Sequence, residues 1–163
     1  MDHKNLKIEK LFELAKPYLK KNDLGYSHTQ RVFDIAQKNF DIPNELEDLI
    51  FASIILHDIG GSSVKEQYDK GPEIATFLLH QLGYSDEFIK MVCENIQTHH
   101  NHLKKPSQTF KILYDSDRLV MFCPEEFQNY DSRPNFNWVE VIDSMYNDHS
   151  KNLAKELLQQ RKG

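Results

Sequence analysis

The chain has little cysteine: among its 163 residues only Cys93 and Cys123 occur, and they form no Cys-x-x-Cys pair. That excludes a disulfide framework and a thiolate zinc site, and leaves two thiols most simply read as buried. Glycine and proline number 6 each, and no repeat, low-complexity tract or linker divides the chain. No apolar run approaches the ~20 residues of a membrane helix. The opening MDHKNLKIEK lacks the apolar segment of a signal peptide, so the expectation is a cytoplasmic protein with no membrane partner. Positive charge is also short. With 20 Lys and Arg against 25 Asp and Glu the net charge is −5, which disfavours nucleic acid as a partner, because phosphate backbones are held by an excess of Lys and Arg.

What is present is helical periodicity. Nothing alternates polar with apolar long enough to make a strand, so the expected fold class is all-α, a bundle of six or seven helices in one domain over 1–163. The pattern predicts helices over 4–21, with Pro17 as a kink, then 27–40, 44–58, 71–82, 85–101, 107–122 and 137–160. Ser27 and Gln30 read as a capping box opening the second helix. Gly60-Gly61 ends the third, Gly83 ends the fourth, and Pro106 and Pro124 bound the sixth. Residues 123–136 form an irregular segment suited to covering or lining a pocket.

Histidine is plentiful, at 8 residues, three of them in His99-His100-Asn101-His102. The stretch SIILHDIGG runs an apolar helix into His57 and Asp58. A charge at the end of such a helix costs several kcal/mol unless a side chain, a hydrogen-bond network or a cation compensates it. Residues three, four and seven apart share a helix face. On that basis His28 aligns with Val32 and Ile35, and His57 with Leu46, Ile50 and Ser53. His99 continues the stripe Ile89, Val92, Ile96, and Asp117 sits among Phe110, Leu113 and Val120. Taken singly, each is more commonly a satisfied core histidine, a cap or a salt-bridge partner. Taken together, imidazoles and carboxylates aimed inward from four helices make a mixed N/O donor set suited to a divalent transition metal.

These residues carry a resemblance. His28 in GYSHTQRV, His57-Asp58 in LHDIGG, the following GPEIA, His99 in IQTHH and Asp117 in YDSDRL resemble the HD-domain metal-dependent phosphohydrolase superfamily over roughly residues 25–122. The resemblance implies His28, His57, Asp58 and Asp117 as metal ligands, with Asp115 the substitute should Asp117 fail. It implies one divalent ion (Mn, Fe, Co, Ni, Zn or Mg), with two as the alternative. In branches with two metals, including those similar to diadenosine-tetraphosphate hydrolases, a histidine precedes the Gly-Pro of the fourth helix. Here Lys70 stands there. An amine is a poor ligand, and Lys70 either holds a substrate phosphate in the second-metal space or is an ordinary solvated residue. His99 corresponds to a second-metal ligand in those branches.

The activity so implied is hydrolysis of a phosphate ester of a small molecule, a nucleotide first among them, by a metal-activated water. Asp58 and His99 are the catalytic candidates, Asp58 touching the water and His99 moving a proton. Arg31, one turn after His28, together with Lys70 and Lys65, would bind the substrate; Arg118 reads as a surface salt bridge. Phe127, Tyr130, Phe136 and Trp138 either stack a nucleobase or pack the last helix, whose Trp138, Val141, Ile142, Met145 and Leu153 read as core. His100 and His102 read as peripheral. Two other functions stay open: a non-catalytic module that binds a metal or nucleotide for regulation, and a di-iron oxygenase of the same fold, against which Lys70 argues.

Overall fold

The computed structural model describes residues 5–163, and every regular element among them is helical. The order is α1 (Leu6–Leu19), α2 (Gly25–Asn39), α3 (Asn44–Leu56), α4 (Val64–Gln81), α5 (Asp86–Thr98), α6 (Gln108–Leu119) with one 3₁₀ turn after it (Val120–Phe122), α7 (Phe127–Asp131), α8 (Trp138–Ser144) and α9 (Asp148–Lys162). The all-α expectation holds. The expected first residue of the first helix, Lys4, lies outside the described residues.

α3 is the axis. Its residues Ile50, Phe51, Ala52, Ser53, Ile54, Ile55 and Leu56 are consecutively buried, and it packs on α1, α2, α5 and α6. A helix apolar on all sides belongs in an interior. Fully burying each Ile or Leu contributes roughly 1.5–3 kcal/mol, enough to offset carrying the polar His57 and Asp58 into the middle of the bundle. α4 and α5 pair on one flank, while α2 and α6 pack together on another. A second apolar cluster of Leu119, Phe122, Phe127, Trp138, Ile142, Met145 and Ala154 lies under α7 to α9. There Phe127 and Trp138 stack at 4.6 Å with their planes 6° apart. Of the expected core stripe, Trp138, Ile142 and Met145 are buried and Val141 and Leu153 half-buried.

Of the boundaries that differ from expectation, three have a local reason. α4 begins at Val64 rather than 71, because Ser63 and Glu66 form a reciprocal capping box; Gly71 and Pro72 then sit inside the helix. α2 starts at Gly25, whose φ of +68° turns the chain into it, so Ser27 lies within the first turn and no side chain caps the N-terminus. The last expected helix is broken in two. Met145 is extended, and Tyr146 and Asn147 give their backbone N–H groups to the Asp115 carboxylate at 2.8 and 3.0 Å. No helix among the described residues is long and apolar enough to cross a membrane.

The paired glycines after the His-Asp step serve close approach. A Cβ on Gly60 would meet Glu66 O at 2.4 Å, Gly71 N at 2.6 Å and Gln67 Cα at 3.0 Å, all backbone atoms of α4. Gly60→Ala should therefore destabilise the protein by ~1–3 kcal/mol or more, the cost of overpacking against atoms that cannot swing away. An unshifted urea-unfolding midpoint would show that α4 does not press on this turn.

Candidate metal centre

Residues from four helices converge. His28 sits in the first turn of α2, His57 directly follows α3 with Asp58 next to it, His99 directly follows α5, and Asp117 is in the last turn of α6. Asn22 pins the turn by donating from Nδ2 to the Asp58 carbonyl at 2.7 Å. Asp58 Oδ2 lies 3.4 Å from His28 Nε2 and 3.3 Å from His57 Nε2. Asp117 Oδ1 lies at 3.4 and 3.3 Å from the same two nitrogens. Asp58 Oδ1 turns the other way, 3.5 Å from His99 Nε2.

The donor set passes a physical test for a cation. His57 Nδ1 donates to the Ile54 carbonyl at 2.5 Å and His99 Nδ1 to the Ile96 carbonyl at 2.6 Å. The Nε2 atoms of both rings are buried without a hydrogen-bond partner among the described residues. When neutral, these imidazoles present bare lone pairs to carboxylate oxygens, which is repulsive unless a positive charge lies between them. Donors held ~2.0–2.2 Å from one first-row ion fall ~3.0–3.5 Å apart at tetrahedral to right angles, as the four distances from Asp58 and Asp117 to His28 and His57 do. Imidazoles with two carboxylates suit such an ion and cancel its charge.

Without the ion, protons fill the role. Burial alone would lower the His28 pKa, but hydrogen bonds to Asp117, Asp58 and Glu126 outweigh it and push it up to about 12. His57, lowered by burial and raised by the charges of Asp58 and Asp117, goes to about 10. Asp58 and Asp117, which burial would raise, are held well below the usual carboxylate range by these histidines. A metal must displace the protons, so its binding strengthens as pH rises.

The HD-domain sequence profile matches residues 25–121, more than half of the chain and all five converging residues. The chain belongs to the HD-domain family. Its fold is similar to the crystal structure of a predicted HD superfamily hydrolase from an uncultured Thermotogales bacterium. That similarity has a TM-score of 0.66 and 21% identity, over 94% of this chain and 86% of that one. No curated protein matches the chain.

Beyond the HD match lies a residue that periodicity does not reveal. Glu126, 1% exposed, precedes α7 and accepts from His28 Nδ1 at 3.1 and 3.0 Å. It also accepts from Arg31 Nε at 2.9 Å. This carboxylate fixes the His28 ring with Nε2 toward Asp58 and Asp117. Arg31 thus stands behind His28, holding Glu126. Asp115 is fully buried and supports the turn before α9, away from the cluster; Asp117 is the aspartate facing the histidines.

A cavity of about 870 Å³ opens over the cluster, with His28, Asp58 and Asp117 in its walls. Lys65 and Lys70 do not line it. Lys65 is exposed and pairs with Asp69, and Lys70 is exposed with its Nζ 3.9 Å from Glu66. Arg118 does line it, its guanidinium 3.8 Å from the Tyr114 ring centroid and Nη1 3.3 Å from Asp117 Oδ2. His100 and Gln67 line it as well. Gln67 donates from Nε2 to the Gly61 carbonyl at 3.0 Å, so its Oε1 accepts from His100 Nε2 at 2.8 Å. Burial, then the neighbouring His99, lowers the His100 pKa to about 4. His100 therefore stays neutral with Nδ1 bare. One donor atom each from Asp58, His99 and His100 lies within 4.8 Å of the others. His102 is set apart, bonded to the Ser144 carbonyl.

Proposed function

We propose that the protein is a metal-dependent phosphohydrolase that cleaves a phosphate ester of a small molecule, best a nucleotide. One observation carries this reading: Asp58 and Asp117 each lie 3.3–3.4 Å from the Nε2 atoms of both His28 and His57, beside a cavity whose wall also holds an arginine. His28, His57, Asp58 and Asp117 hold a divalent ion. When bound, the ion supplies Lewis acidity toward a phosphoryl oxygen and acidifies a water.

The chain's residues do the rest. Asp58 has one oxygen toward His28 and His57 and the other toward His99, so it orients the attacking water on the His99 side. His99 moves a proton through Nε2, the atom left bare when Nδ1 bonds to Ile96. Arg118, tied to Asp117, offers N–H groups to the phosphoryl oxygens; Arg31 is engaged with Glu126, and Lys65 and Lys70 lie outside the cavity lining. Tyr130 and Phe136 line the cavity and present rings to a nucleobase, whereas Phe127 and Trp138 are spent on each other. The grouping of Asp58, His99 and His100 favours a two-ion alternative, in which His99 would be a ligand instead of a proton carrier and His100 would replace the ligand absent at Lys70.

The test loads the protein with Mn, Fe, Co, Ni, Zn or Mg in turn, measures bound metal, and assays a broad panel of phosphate esters. Asp58→Ala should lose metal and hydrolysis together. Hydrolysis that persists unchanged in the variant would sink the proposal. Tight nucleotide binding without turnover would favour a regulatory module instead.

A further inference from the structure

The two arginines of the cavity are held differently. Arg118 is largely buried and tied to Asp117. Arg133, just past α7, is exposed, lies 4.7 Å over the Tyr130 ring and has no carboxylate partner among the described residues. A guanidinium held over an aromatic face is partly ordered while its N–H groups stay free to bond. Tyr130 shares the cavity wall with His28, Asp58 and Asp117, so the ring that carries Arg133 belongs to the same space as the metal cluster. Both arginines line one cavity, and Arg133 lies outside the HD match at 25–121.

We propose that Arg133 receives a second anionic group of the substrate, while Arg118 faces the group that is cleaved. The substrate is then a nucleotide with a further phosphate away from the scissile ester, its body spanning Tyr130. Glu140 lines the same cavity; its carboxylate repels anions and accepts from hydroxyl or amino groups. This inference rests on the phosphohydrolase reading.

The test compares adenosine 3′,5′-bisphosphate with adenosine 5′-monophosphate on metal-loaded wild type, Arg133→Ala and Arg133→Lys. Both kcat/KM and calorimetric binding are read. Wild type should prefer the bisphosphate. Arg133→Ala should cut that preference ~10–100-fold, mainly through KM, as expected for one lost charge-assisted contact, and Arg133→Lys should recover part of it. Turnover of both esters with the same preference in wild type and Arg133→Ala overturns the receiver and leaves the phosphohydrolase reading standing. No turnover of either, with tighter bisphosphate binding to wild type than to Arg133→Ala, overturns the phosphohydrolase reading and keeps the receiver.

Discussion

Asp115→Ala and Asp117→Ala, two residues apart on α6, should fail in opposite ways. Asp115 is fully buried and accepts from Tyr146 N, Asn147 N and Asn147 Nδ2 at 2.8, 3.0 and 2.9 Å. Its loss strands donors at the turn between α8 and α9. Bonds to a charged group contribute ~1.5–3 kcal/mol each and are not additive, so a net loss of ~3–5 kcal/mol is expected. For a chain of this size that is a drop of about 10 °C in Tm. The metal ligands are untouched, so metal should still bind and still raise Tm. Asp117→Ala removes a donor facing both His28 and His57. Metal at ~100 times its Kd stabilises a native site by ~2.7 kcal/mol, or roughly 5–10 °C; wild type should show this rise and Asp117→Ala should not. Scanning calorimetry with and without metal separates the two. A metal-dependent rise surviving in Asp117→Ala, or vanishing in Asp115→Ala alone, would reverse the assignment.

The sequence shows these two aspartates as alternatives only because they sit on different faces of one helix; what each face meets is tertiary. His28, His57, Asp58 and Asp117 are legible because each stands on or beside an apolar stripe whose period is local. The break at 145–147 is not legible, since it arises from carboxylate bonds to a residue 31 positions earlier. Lys70 stays open in the sequence, between a phosphate holder and a solvated residue, for a nearer reason. Taking Gly71-Pro72 as a helix start leaves Lys70 just outside the helix, whereas the Ser63–Glu66 capping box starts α4 a turn and more earlier. Lys70 then falls on an exposed face, one turn from Glu66. That Ser-x-x-Glu signal was readable. The same shift puts Gln67 where it meets His100, which explains why a histidine that looks peripheral in the sequence lines the cavity.

Glu126→Gln should weaken the metal site without unfolding the protein. Glu126 is separated from His28 by 98 residues and lies in a segment with no periodicity, so only the fold discloses it. Its charge does two things: it accepts His28 Nδ1–H, which turns Nε2 toward the ion, and it makes the ring a stronger donor. The substituted amide keeps the shape and can still accept one hydrogen bond, but it lacks the charge, and Arg31 loses its ion-pair partner. Loss of such an outer partner costs ~10–100-fold in metal affinity, read by competition with a chromophoric chelator at fixed pH. Because Glu126 also helps raise the His28 pKa, its removal eases proton competition and the deficit should be largest at high pH, where wild-type His28 is more readily deprotonated. Glu126→Asp, one methylene shorter, should restore part of the affinity if it reaches Nδ1. An affinity within about twofold of wild type across the pH range, well short of the loss expected for an outer partner, with native circular dichroism, would mean that the Arg31–Glu126–His28 chain supports packing and leaves the ion untouched.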